Sequence, residues 1–462
     1  MQELTFLFPN QTQAAKTLYI GLGDQEKLTL DSQSEQYDAQ CIKTAFSIAD
    51  LQDLGTLAAS QFSRAQALNF VFDLKVFEQI SPVEVAQWLA FGLHVASYKY
   101  QHKTKAAIDL PACAFSLSSD DQHLQQAVKN GQILANAQLI SRELMNLPAN
   151  VLYPVAFVGA VKALGLPGIE CEVLSEKALE EQKFGGLLSI SQGSAKEAQV
   201  LILRYRPAVA QASKHLALVG KGVTFDTGGI SIKPARFMST MKFDMGGAAA
   251  VIGAMYAISA LALPLNVTGL CGLVENMPSS TAIKPGDVVM MRSGTSVEFI
   301  STDAEGRMVL ADVLDYAQET LAPDYLIDIA TLTGGAGIAL GKGYSALMGN
   351  HDDFISQIKA AGKTCGEPVW HMPTGDWFKR PLECHFADLR HGGEDPHGSP
   401  CVAATFLEYF VKPNQPWAHL DIAAMSYEMG HRKIYGETAS GYGALLLTHV
   451  CQHLSQQEGG EE

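Results

Sequence analysis

The sequence predicts an α/β protein of two domains: an N-terminal α/β domain over residues 1–130, a helical linker over 131–150, and a C-terminal domain over 151–462 with a central, mostly parallel sheet flanked by helices. Length comes first, because 462 residues suit two or three domains of about 150 residues each. After residue 150 the chain repeats an apolar run, a Gly-rich turn and a helical pattern. The break LMNLPANVLYP sets Pro148 and Pro154 behind a long helical pattern, and proline ends helices.

The elements follow in chain order. Strand-like runs at Thr17–Leu22 and Asn69–Leu74 alternate with a helical run at Pro82–Tyr98, and a longer helix is expected over Gln122–Met145. Beyond the prolines, AQVLILRY, HLALVG, NVTGLCGLV and YLIDIATL are continuously apolar, as parallel strands covered on both faces are. A ligand site is expected beyond the carboxyl ends of such strands. The tail SQQEGGEE is expected to fray.

Composition removes several function classes. Hydrophobic residues make up 47% and charged residues 18%, too apolar for a disordered chain. With 33 basic against 48 acidic residues, the net charge of −15 disfavours nucleic acid as the main partner. The start MQELTFLFPN has no basic segment ahead of an apolar core, so the protein is expected in the cytoplasm. Its eight cysteines form no C-x-x-C pair and read as free thiols. Met245–Val274 carries no charge, yet Gly246, Gly247, Pro264 and Asn266 fit a buried helix followed by a buried strand better than a membrane span.

Nucleotide motifs fail by one residue each. Gly220-Lys221-Gly222 meets Phe225 where a dinucleotide fingerprint needs glycine, and Gly362-Lys363-Thr364 has Gln357 where a phosphate loop needs its first glycine. No H-E-x-x-H or G-x-S-x-G occurs. What remains is charge in Gly-rich turns: Lys221, Asp226 and Lys233 in GKGVTFDTGGISIKP, Asp244 in MKFDMGG, and Asp303, Glu305 and Arg307 in STDAEGRMVLAD. Singly, Asp244 and Asp303 read as helix N-caps, Asp226 as a turn residue, and Lys233 and Arg307 as surface charges. Jointly, four carboxylates converging on one sheet edge would repel unless cations sat among them. In an extended segment Asp303 and Glu305 would share a side. Carboxylate-rich ligation without histidine suits Zn, Mn, Mg or Co in a dinuclear site, the ions about 3.5–4 Å apart.

These motifs resemble the leucyl aminopeptidases, the dinuclear-metal cytosol aminopeptidases that include bacterial aminopeptidase A and peptidase B. STDAEGRMVLAD is similar to that family's NTDAEGRL signature, and GKGVTFDTGGISIKP, MKFDMGGAA, ENMPS, KPGDVV and ATLTG occur in family order across residues 145–445. The first 130 residues carry little resemblance, as is usual for the family's variable N-terminal domain. The resemblance implies a catalytic C-terminal domain in which Lys221, Asp226, Asp244 and Glu305 hold one divalent ion, Zn or Mn before Mg or Co, and Asp226, Asp303 and Glu305 hold the other. Lys221 would bind as a neutral amine, since burial beside a dication lowers its pKa. Lys233 would polarise the scissile carbonyl, Arg307 would hold a bicarbonate acting as general base, and Met241, Thr331 and Ala423 would line a pocket for a Leu- or Met-sized N-terminal residue. Peptides with a free N-terminus would be the substrates and a homohexamer the assembly, with no membrane partner.

Departures from the family pattern are Ser301 for Asn, Ala424 for Gly, Thr438 for Gly and Leu445 for Arg. Two other readings stay open at this point: a dinuclear phosphoesterase or amidase, and a DNA-binding regulatory factor.

Overall fold

The computed structural model describes residues 3–7, 17–19, 46–65, 69–73, 77, 79–100, 104–111, 115–208, 214–393, 395, 397–430 and 432–458. The chain divides into two compact units, one of Met1–Lys99, Asp109–Leu139 and Gly430–Gly436, the other of Tyr100–Ile108, Ile140–Met429 and Glu437–Glu462.

In the first unit, strands β1 (Glu3–Leu7), β2 (Thr17–Tyr19), β3 (Asn69–Asp73) and β4 (Ser116–Leu117) form a sheet of order β2-β3-β1-β4. Helix Pro82–Val95 starts on a capping box in which Ser81 and Glu84 satisfy each other's backbone amides, with Pro82 in its first turn. It stops three residues short of the expected Tyr98. Residues 20–22 and 74 of the expected strands, and Cys41 and Cys113, lie outside the described residues. Helix Gln122–Asn146 matches the expected helix to within one residue.

The second unit is built on an eight-stranded sheet. Its strands are β5 (Ile169–Ser175), β6 (Gln199–Tyr205), β7 (His215–Asp226), β8 (Asn266–Asn276), β11 (Tyr325–Ala330), β12 (Ser345–Gly349), β13 (Val369–His371) and β15 (Trp417–Asp421). The order is β13-β12-β15-β11-β7-β8-β6-β5. The centre, β15-β11-β7-β8, is parallel, and antiparallel pairings at β12·β15, β8·β6 and β6·β5 flank it. A small sheet of β9 (Val288–Met290), β10 (Ser296–Glu298) and β14 (Leu389–Arg390) lies apart.

All four apolar runs are strands, but β6 runs antiparallel to both neighbours. Unbroken apolarity reports cover on both faces, which β6 has, and does not fix direction. The cover comes from helices on opposite faces. A Cβ on Gly269 would meet Val251 and Met255 of helix Gly246–Ala260, whereas one on Gly272 would meet Val309 and Val313 of helix Gly306–Leu321. Positions three apart on a strand face opposite ways. The uncharged Met245–Val274 stretch is thus mostly a buried helix and the buried strand β8, as expected. The described cysteines, Cys171, Cys271, Cys365, Cys384, Cys401 and Cys451, are free thiols.

Helix Gly246–Ala260 can lie this close to the sheet because of glycine. A Cβ on Gly247 would stand 2.0 Å from the Ile329 carbonyl oxygen of β11 and 3.0 Å from the Lys221 amide nitrogen of β7, and backbone cannot yield cheaply. Gly247→Ala is therefore expected to destabilise the protein by about 1–3 kcal/mol, the cost of overpacking a close-packed interior. A lowered thermal unfolding midpoint in calorimetry would show it; an unchanged one would refute the contact.

Candidate metal centre

Four parallel strands deliver polar residues to one edge of the sheet. Strand β7 contributes Lys221 within its length and Asp226 at its end, β8 ends on Asn276, β11 leads into Thr331, and β15 ends on Asp421. Lys221 and Asp226 are an odd number of residues apart and would face opposite ways on a regular strand. The pairing of β7 with β8 shifts register between Val223 and Asp226, and an irregularity of this kind re-aims a side chain.

Asp244, Asp303 and Glu305 arrive from turns. Asp244 follows the short 3-10 turn Ser239–Phe243, and its amide donates to the Met241 carbonyl at 3.3 Å. The segment 301–305 is a turn running into helix Gly306–Leu321 rather than the extended stretch expected from sequence, and Glu305 already has helical backbone angles. The two carboxylates therefore meet different lysines. Neither aspartate is an N-cap: Met245 and Glu305 precede the two helices, and neither forms a side-chain cap bond.

Two lysines organise the cluster. Lys221 Nζ lies 2.8 Å from Asp244 Oδ1 and 2.8 Å from Glu305 Oε1, and donates to the Thr331 carbonyl at 2.9 Å. Lys233 Nζ lies 2.7 Å from Asp226 Oδ2 and also contacts Asp303 Oδ1. Asp226 Oδ1 accepts from the Gly228 amide at 2.9 Å and from Asn276 Nδ2 at 2.8 Å. The Thr331 hydroxyl donates to Asp244 Oδ1 at 2.8 Å. Asp226, Asp244 and Glu305 each offer an oxygen within 4.8 Å of the others. The surface-charge reading fails for Arg307, 8% exposed, and Lys233 is largely covered.

Burial and mutual repulsion disturb every acid here. Burial, aided by the Glu305 charge, pushes Asp226 up to about 6 against the pull of Lys233 and Lys221. Burial likewise holds Asp244 well above the ordinary carboxylate range, and raises Asp303. For Glu305, Lys221 and Lys233 outweigh the cost of burial and lower its pKa. Burial alone would lower Lys221, as expected from sequence, but facing Asp244, Glu305 and Asp226 it is raised instead. The Lys221 ammonium is a counter-ion to Asp244 and Glu305. Lys233 is raised for the same reason. Burial brings Arg307 down to about 10, still cationic at neutral pH.

Of the pocket residues, Thr331 is buried against Asp244 and Lys221, while Met241 and Ala423 are half-buried. The Ala423 amide donates to Asp421 Oδ1 at 3.1 Å, and Asp421 also accepts from the Leu332 amide, the Thr333 amide and the Thr333 hydroxyl. Sequence reasoning passed over Asn276, Thr302 and Asp421. Thr302 donates to the Gly228 carbonyl at 2.6 Å and accepts from the Ser231 amide at 2.8 Å, clamping the Asp226 turn to the Asp303 turn. A usable signal was present for Asn276 and Asp421, each a polar residue ending an apolar strand at the ligand edge.

The donor set fits divalent metal. Three buried carboxylates share a small volume, and Asp244 Oδ2 is buried with no hydrogen-bond partner among the described residues, a costly arrangement unless something electropositive meets it. A carboxylate-rich centre beyond the carboxyl ends of parallel strands is the place and the donor set of a metal-dependent enzyme. Residues 139–448 match the family described as "Cytosol aminopeptidase family, catalytic domain" (Peptidase_M17). The chain belongs to this family, and is a metallopeptidase hydrolase acting on peptides. It is 38% identical over 455 residues to a "Probable cytosol aminopeptidase" of Afipia carboxidovorans, covering 97% of this chain and 87% of the relative. It is 41% identical over 410 residues to a protein of the same description from Xanthobacter autotrophicus, covering 87% and 81%. Among solved structures, "Bottromycin maturation enzyme BotP" superposes with a TM-score of 0.82 at 30% identity, covering 96% of this chain and 100% of that one. The same enzyme in complex with Mn gives 0.81 at 29% identity.

Gly306 makes room for the Lys221 side chain. A Cβ there would lie 2.5 Å from Lys221 Cε and 2.8 Å from Nζ, and the flexible lysine tip would give way rather than the backbone. Gly306→Ala is therefore expected to leave the unfolding midpoint nearly unchanged while lowering metal affinity or kcat/KM by about 10–100-fold, the usual effect of disturbing groups that orient ligands. Full activity in a folded variant would show that the Lys221 position is immaterial.

Proposed function

We propose that the protein removes single N-terminal residues from peptides with a free α-amino group, apolar Leu- or Met-like residues preferred, using two divalent ions. The buried carboxylate cluster of Asp226, Asp244 and Glu305, with Lys221 and Lys233 among its oxygens, is the observation that carries this reading. Lys221, Asp226, Asp244 and Glu305 would hold one ion and Asp226, Asp303 and Glu305 the other, with Zn or Mn favoured and Mg or Co also compatible. Bound there, the ions supply Lewis-acid polarisation and a water acidified toward neutral pH.

The protein's own residues do the rest. Lys221 as a neutral amine has two N–H bonds, enough for the Thr331 carbonyl and one carboxylate, and keeps a lone pair for ligation. Lys233, kept charged by its acidic neighbours, would donate to the scissile carbonyl oxygen as negative charge develops there. Arg307 donates through Nη1 to the His391 carbonyl at 2.7 Å, while its Nε is buried with no partner among the described residues. That arrangement supports a small anion, a bicarbonate, held as the general base. Met241, Thr331 and Ala423 would receive the N-terminal side chain. The cytoplasm is the proposed location, and a homohexamer the proposed assembly, which light scattering tests.

Thorough chelation is expected to abolish hydrolysis of Leu-p-nitroanilide, and Zn or Mn to restore it, with p-nitrophenyl phosphate untouched. Metal analysis should give about two ions per chain, as in other two-metal hydrolases. Glu305→Gln should lose nearly all activity, and Lys233→Met should keep its metal while kcat falls about 10²–10³-fold, the usual loss of a donor to a developing oxyanion. Activity that survives chelation overturns the proposal.

A further inference from the structure

We propose that His391 is a positioning residue that fixes the Asp303–Glu305 turn and aims Arg307; the link to catalysis rests on the reading above. His391 is fully buried beside Phe299, ring centroids 4.8 Å apart. Its Nδ1 accepts from the Ile300 amide at 3.1 Å, so the proton sits on Nε2, which donates to the Ser301 carbonyl at 2.7 Å. Its own amide donates to the Glu298 carbonyl at 3.1 Å, extending the β10·β14 pairing by one step. Its own carbonyl accepts Arg307 Nη1.

One residue thus grips both ends of the segment that matters. The ring holds positions 300 and 301, where the chain leaves β10 and enters the turn bearing Asp303 and Glu305. The carbonyl holds Arg307 one step into the following helix. Gly392 leaves room for this, since a Cβ there would lie 3.1 Å from Arg307 Nη1. The role demands one tautomer of a neutral ring, with one nitrogen accepting and the other donating. Burial and the neighbouring Arg307 charge keep the ring neutral, lowering its pKa to about 3.

His391→Phe keeps the flat ring against Phe299 and deletes both ring hydrogen bonds. His391→Asn retains an acceptor near the Nδ1 position, and His391→Gln a donor near Nε2. For the Phe variant, hydrogen–deuterium exchange on chelated protein should show faster exchange of amides 300–307, with β8 protection unchanged. Metal affinity and kcat should fall about 10–100-fold, as for other outer residues that orient metal ligands, with KM within about threefold. Asn or Gln should recover part of each loss. Should the Phe variant not fold, the Asn and Gln variants carry the same test: each should loosen 300–307 relative to the parent, and parental protection in both overturns the proposal. A folded Phe variant with parental protection at 300–307 overturns it as well, as does a kcat loss that only follows the unfolded fraction. A parent protein that binds no metal and cleaves no peptide refutes the aminopeptidase reading instead, and the exchange comparison still judges His391.

Discussion

The centre depends on compensating buried negative charge. Asp226, Asp244 and Glu305 are almost fully buried within reach of one another, and like charges so placed repel strongly in a poorly screened interior. Lys221 and Lys233 answer them, each paired with two carboxylates. The lysines divide the acids along nearly the same line as the proposed division between two ions. A cation seated among these oxygens would take over or share the place of an ammonium.

The fold makes this tolerable by making it rigid. Strands β7, β8, β11 and β15 end together, and the loops beyond them are tied to one another by Asn276, Thr302 and Asp421 rather than left to find positions. Asn276 donates to both the Asp226 carboxylate and the Thr302 carbonyl. Asp421 gathers donors from residues 332, 333 and 423. Small residues at the strand–helix contacts bring backbones close enough that little can shift. A preorganised site of this kind does not have to reorganise during reaction.

Much of this was legible in the sequence, for stateable reasons. The four apolar runs identified the strands because burial on both faces leaves no polar alternation, and Lys221, Asp226, Asp244, Asp303 and Glu305 stood out as charges in Gly-rich turns after such runs. Direction was not legible for β6, since apolarity is blind to it. The 301–305 geometry was misjudged because spacing by two suggests a strand, whereas Glu305 is already committed to the next helix. The protonation of Lys221 was not legible either, since that of a buried lysine depends on which cation its acidic neighbours have. His391 was invisible among 13 histidines, because nothing local marks a ring whose two nitrogens serve distant backbone.

Thr331 joins two jobs that enzymes often keep separate. Its hydroxyl restrains Asp244, its carbonyl restrains Lys221, and it is also a proposed wall of the pocket for the departing residue. Substitution at 331 would thus retune the electrostatics of the centre along with the shape of the cavity. Natural variation in side-chain preference has a freer course through Met241 and Ala423, whose side chains hold none of the charged groups, so an engineer seeking a new cleavage preference should begin at those two and leave the threonine alone.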